Sequence, residues 1–222
     1  MRLVQALLLA CLAVTPLVAQ DGNPRLVRVP EAARPAIDSL IAVAVAESLP
    51  TEPLVQKALE GSAKGVPPDR LVNGVRRGLI QLREARVIVT RAVPGQPAPE
   101  GHIAAVTAAL ARGLSPAIVE RLLVVAPTEP PAPSLHAAAD LVAHGFDPDS
   151  ATDLLVEAHN KGLHGDRLLD VAAAADHELQ RAGGRTQADA LGKVRAMLPN
   201  VPPPPPPSQA HPVVTHHQPK GS

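Results

Sequence analysis

Aromatic side chains are almost missing from this chain: it has no Trp, no Tyr and a single Phe, Phe146. Strands favour aromatic and β-branched residues, so a β-sandwich or barrel is not the expected fold. The same deficit removes the stacking platforms on which single-strand nucleic-acid binders rely. Charge of one sign is not in excess either, with 21 basic and 21 acidic side chains. Long-range steering toward nucleic acid is therefore not expected. Cysteine is confined to Cys11.

Long hydrophobic runs are absent except at the start, where Arg2 precedes the apolar stretch LVQALLLACLAV. Thr15 and Pro16 interrupt it, and Ala19 supplies a small residue before Gln20. Charge, apolar core, breaker and small residue is the order of a secretory signal. The run is shorter than the ~20 residues that span a bilayer. Cleavage is expected after Ala19, giving an exported chain, periplasmic or extracellular, with no transmembrane segment after signal removal. An alternative is a lipoprotein anchored at Cys11, because Leu8, Leu9, Ala10 and Cys11 resemble a lipobox, although the apolar core before Cys11 is short. In either case the exported domain has no pair of cysteines to join, and its core must hold it together. Losing Arg2 leaves the rest one charge negative by side chains.

What the chain does have is Ala, Val and Leu at helical spacing, punctuated by 15 Gly and 26 Pro. Ile37, Leu40, Ile41, Ala44, Val45 and Leu49 form the i, i+3, i+4, i+7 stripe of a helix packed on one face. Pro50 and Thr51 end it, and Thr51 is expected to cap the next helix. A turn signal then recurs: Lys64-Gly65-Val66, Arg112-Gly113-Leu114, His144-Gly145-Phe146 and Lys161-Gly162-Leu163. A glycine just past a helix end takes the left-handed conformation, and the apolar residue after it folds back onto the last turn. Ser115 and Asp147 then stand where the next helix needs a cap, followed by Pro116 and Pro148 at its first position.

This spacing predicts helices over 31–49, 52–64, 68–92, 101–112, 116–125, 134–144, 148–161, 166–182 and 187–198. The expected fold class is all-α: consecutive short helix hairpins forming an irregular bundle or a loose α-solenoid, with a disordered Pro-rich C-terminal tail. The expected segments are a signal peptide (1–19), an N-terminal linker (20–30), a helical subdomain (31–95), a helical hairpin subdomain (96–198) and the tail (199–222). Linkers rich in Pro fall at 93–101 and 126–133. Six consecutive prolines at 202–207 would form a polyproline II rod about 19 Å long.

Three constellations carry candidate chemistry. His136, Asp140 and His144 share a helix face at i, i+4 and i+8, residue types that ligate transition metals. Two turns separate the outer histidines, so one ion can take only a neighbouring pair, with help from His159, His164, Asp166 or His177. The bland reading is a solvated polar face. His211, His216 and His217 in the tail can collect metal without a fixed geometry. Arg70, Arg76, Arg77, Arg83, Arg86 and Arg91 crowd one helix and are candidates for anion binding, against the alternative of an ordinary charged surface. On that helix, Gly74 and Gly78 are spaced for a close helix crossing.

Nucleophilic catalysis finds no support. There is no Gly-x-Ser-x-Gly, and Ser62, Ser115, Ser134 and Ser150 sit where capping accounts for them. Asp153 and Glu157 are i, i+4 carboxylates expected on a solvated face. No catalytic residue and no cofactor is expected. The expected function is a non-catalytic interaction or structural protein of the cell envelope, partnered by another envelope protein and not by nucleic acid. The alternatives are a carrier for a small apolar ligand or metal and, behind it, an enzyme with a His/carboxylate site.

Overall fold

The computed structural model describes residues 23–95, 97–181 and 186–198. Among them the regular elements are all helical. A 3₁₀ helix at Pro24–Arg28 precedes α1 (Arg34–Ala46), α2 (Glu52–Ala63), α3 (Pro68–Ala92), α4 (Glu100–Ala111), α5 (Pro116–Val125), α6 (Ala132–Ala143), α7 (Pro148–Asn160), α8 (Arg167–Arg181) and α9 (Gln187–Met197). The expected signal peptide, with Cys11, and the Pro-rich tail, with His211, His216 and His217, lie outside the described residues.

The recurring turn is built as its chemistry requires. Gly65, Gly113, Gly145 and Gly162 have φ of +67°, +96°, +89° and +87°. At each, the N–H after the glycine reaches back to a helix carbonyl: Val66 to Gly61 (2.9 Å), Leu114 to Ala109 (3.2 Å), Phe146 to Leu141 (3.0 Å) and Leu163 to Ala158 (3.0 Å). These are the 6→1 bonds of a Schellman motif, and they satisfy carbonyls that would otherwise be orphaned at the helix end. Leu114, Phe146 and Leu163 are buried, so three of these turns are also pinned by an apolar contact, and Val66 packs partly buried at the fourth. Ser115 and Asp147 cap α5 and α7, accepting from the Ile118 N–H at 3.4 Å and the Ser150 N–H at 2.9 Å.

Three local features differ from the sequence expectation. α1 stops at Ala46, because Ser48 takes φ +53° and the Leu49 N–H bonds the Ala44 carbonyl at 2.8 Å. It is the same Schellman turn with serine in the glycine position, and nothing in the residue type announces it. Thr51 does not cap α2 with its side chain: its backbone is already helical, and its carbonyl takes the Leu54 and Val55 N–H groups. Within the 20–30 segment, Pro24–Arg28 winds into a 3₁₀ turn that buries Leu26, and Val29 just after it is buried too. Ser62 Oγ donates to the Arg28 carbonyl at 2.7 Å, and Arg34 donates to the Val29 and Val27 carbonyls, so this turn is docked on the helices.

Packing follows from the tight hairpins. Helices α1, α3, α5, α7 and α9 each touch the next in that series, and α4, α6 and α8 stack as a second row beside it. The result is a bundle-like, two-row arrangement with one hydrophobic core running through it. Alanines fully buried at Ala44, Ala58, Ala85, Ala137, Ala139, Ala151, Ala158 and Ala175 let backbones approach closely. Leucines and Phe146 supply the bulk, each contributing roughly 1.5–3 kcal/mol when fully buried. At the far end, Glu178 of α8 is nearly buried and takes Lys193 of α9 at 2.6 Å. No helix among the described residues is long and apolar enough to cross a membrane.

Candidate functional site

Three metal-ligating side chains meet where the α5–α6 loop crosses the end of α7. Glu129 lies in that loop, held by a turn from its N–H to the Ala126 carbonyl (3.2 Å) and followed by Pro130 and Pro131. His159 projects from the last turn of α7. His164 follows the Gly162 turn, and burial of Leu163 folds that segment back toward His159. His164 Nδ1 is 2.9 Å from Glu129 Oε1, and the two imidazoles meet edge to face with centroids 4.5 Å apart. One ligand atom from each of Glu129, His159 and His164 lies within 4.8 Å of the other two. Glu129 and His159 are half-buried and line a small cleft with Leu122, Val125, Leu155 and Leu168, and His164, next to lining residue Gly165, is exposed.

His102, in the first turn of α4, lies partly buried beside the backbone of Glu129. Its partial burial lowers the imidazole pKa, and the nearby Glu129 backbone offsets part of the shift.

The His136, Asp140 and His144 series does not converge. Arg112, at the C-terminal end of α4, forms an ion pair with Asp140 and lies 3.2 Å from His136 Nδ1. Asp140 Oδ2 is 3.3 Å from His136 Nε2. A guanidinium already occupies the place a cation would need. His144 turns to α8 and meets Asp176 at 3.2 Å.

Three arginines of the Arg-rich helix, Arg83, Arg86 and Arg91, are engaged by groups outside that helix. Arg83 grips Glu47 through two hydrogen bonds of 2.8 and 2.5 Å, and Arg86 donates to the Glu47 carbonyl at 2.9 Å. Arg91 pairs with Glu120 at 2.7 Å, and Arg76 donates to Asn73 at 2.7 Å. Arg70 and Arg77 are exposed and enter no ion pair among the described residues. Gly78 is the crossing point foreseen for this helix, since a Cβ there would sit 3.0 Å from Leu54 of α2, whereas Gly74 faces open space.

The remaining polar candidates have structural partners. Asp153 pairs with Arg121, and Glu157 with Lys161 at 2.9 Å and Arg195 at 3.5 Å. Ser134 donates to the Pro131 carbonyl and Ser150 to Asp147.

Sequence reasoning named His159 and His164 as possible helpers of another trio, and did not single out Glu129 or His102. The available signal was thin: Glu129 is the one ionisable residue in the Pro-rich stretch 126–133. Comparison with protein-family models, curated proteins and solved structures returns no match for this chain.

Proposed function

We propose that this chain is a non-catalytic interaction protein of the cell envelope that docks a protein partner through the end of the helical row carrying α1. The observation that carries this reading is α1 itself. Its sequence from Leu40 to Ala46 is LIAVAVA, apolar around the whole circumference, and such a helix is ordinarily buried on all sides. Here only Ile37 and Ala44 are buried, while Val43 and Val45 on either side of Ala44 are 38% and 62% exposed. The terminal element of a stacked helical array normally turns a polar face outward. Val27 on the 3₁₀ turn and Ile80 and Val87 on α3 add exposed apolar side chains at the same end of the chain order.

Export rests on the N-terminal signal pattern, and the run of six prolines at 202–207 would serve as a spacer if it takes the polyproline II form its composition favours. The apolar-carrier alternative needs a cavity. Three clefts between helices hold about 10, 100 and 180 Å³, against the ~300 Å³ at which small-molecule sites begin. A larger groove of about 990 Å³ beside the 3₁₀ turn is open and carries Arg25, Arg28, Gln56, Glu60 and Ser62 along its walls.

A photo-crosslinking residue placed at Val43, with the same residue at exposed Asp170 as control, tests the reading in intact cells. The expected result is one discrete envelope-protein adduct from position 43 and none from position 170. No adduct, or the same smear from both, overturns it.

A further inference from the structure

We propose that Glu129, His159 and His164 form a binding site for one divalent transition-metal ion, of which Zn²⁺ is the best match. This site is independent of the α1 surface. Two imidazoles and one carboxylate are the donor set of zinc sites that keep a coordination position open. Imidazole nitrogen and carboxylate oxygen bind Zn²⁺ at about 2.0–2.2 Å, which puts tetrahedral ligand atoms roughly 3.3–3.6 Å apart. The three ligand atoms already lie within 4.8 Å of one another, with the Glu129–His164 pair at 2.9 Å. Binding would open the Glu129–His164 contact slightly and draw the wider pairs in by roughly 1.5 Å at most, a displacement on the scale of side-chain rotation.

The ligands come from two segments that the fold holds in place. The hairpin between α7 and α8 fixes the two histidines five residues apart across the Gly162 turn. The α5–α6 loop fixes the carboxylate, with Pro130 and Pro131 after it and His102 beside its backbone. Leu122, Val125, Leu155 and Leu168 behind the cleft exclude water from one side and strengthen the attraction between ion and carboxylate. The open side faces solvent, where exposed His164 leaves room for a water molecule as fourth ligand. Among the described residues Glu129 makes no ion pair with Lys or Arg, in contrast to Asp140, which Arg112 holds. Bound metal would tie the α5–α6 loop to the α7–α8 hairpin, and so stabilise the folded chain by linkage.

The test uses the full chain carrying H211A, H216A and H217A, so that the tail cannot contribute. Calorimetric titration with Zn²⁺ and visible absorption with Co²⁺ are then compared among that chain and its H159Q, H164Q and E129Q derivatives, with helix content checked by circular dichroism. His164 is exposed and His159 and Glu129 only half-buried, so these changes leave the core intact. Expected are one equivalent bound, a tetrahedral-type Co²⁺ spectrum, a higher melting temperature with Zn²⁺, and affinity at least about tenfold weaker in each derivative. H136Q is the control and should bind as the parent does. Absence of a one-equivalent event in the tail-substituted chain, or binding unchanged by both H159Q and H164Q, overturns the proposal.

Discussion

Arg83 of α3 clasps the carboxylate of Glu47 at the C-terminal end of α1 in a two-bond fork, with N–O distances of 2.8 and 2.5 Å. Arg86, one turn along, donates to the Glu47 backbone carbonyl. Two arginines that read as an anion-binding surface therefore close a helix end and fasten α1 to the row. Planar guanidinium suits this better than an ammonium, because it can present two donors to one carboxylate. Arg83→Lys should thus lower the melting temperature, while Arg77→Lys, on an exposed position without a partner among the described residues, should leave it unchanged.

The same fork predicts a pH dependence. Hydrogen bonds from Arg83, with its charge and that of Arg86, hold the Glu47 pKa below the usual glutamate range. The Asp147 pKa is likewise lowered by the Ser150 hydroxyl and N–H. A lowered carboxyl pKa stabilises the fold at pH above the unfolded value, and this contribution is lost as pH falls through the native one. Burial lowers the His102 pKa, so its neutral form is favoured in the fold and stability declines as pH drops below the ordinary histidine value. Urea denaturation should therefore give midpoints that fall from pH 7 toward pH 5, then again below pH 4.5. Glu47→Gln should flatten the second decline and leave the first.

Ser48 occupies a left-handed position that costs an L-residue roughly 1 kcal/mol. Ser48→Gly should stabilise the chain by up to about that amount, and Gly113→Ala, at φ +96°, should destabilise it by roughly 1–2 kcal/mol. Chemical denaturation of the two variants gives both signs.

Gly74 and Gly78 should part company. Gly74→Ala meets open space and should add about 1 kcal/mol from helix propensity. Gly78→Ala must displace buried Leu54, which lies 3.0 Å from the new methyl, and should gain clearly less or lose stability. Parallel thermal melts decide it.

Phe146 is the one aromatic in the chain and sits 2% exposed beneath the α6–α7 turn. Phe146→Ala should cost roughly 3–5 kcal/mol, and Phe146→Leu less than about 1.5 kcal/mol. A loss for the alanine variant below 1 kcal/mol would mean that the turn does not depend on this contact.

Much of this architecture was legible because its signals are local. A glycine forced to positive φ, an apolar residue after it and a Ser or Asp cap followed by Pro act within a few residues, so helices α3 to α9 emerge close to their expected ends. Ser48 hid its turn because serine has no preference for that conformation, and Leu26 and Val29 were hidden because what buries them arrives from α2. The metal-ligating trio was illegible for the same reason. His159 and His164 are five residues apart, but Glu129 is 30 residues earlier, and only the stacking of α5 on α7 brings them together. Conversely, the regular His136, Asp140, His144 spacing was conspicuous in sequence, yet Arg112 and Asp176 from other helices divide it.

The measurement that bears most directly on the proposed function is native purification of the full chain from the envelope fraction, beside the V43D/V45D double variant, with mass spectrometry of what accompanies each. Both valines are solvent-facing, so the variant should fold, which its melting curve verifies. A stoichiometric envelope protein that accompanies the parent and is lost from the variant is the predicted result. A partner retained by the variant, or a parent that purifies alone, would contradict docking through α1.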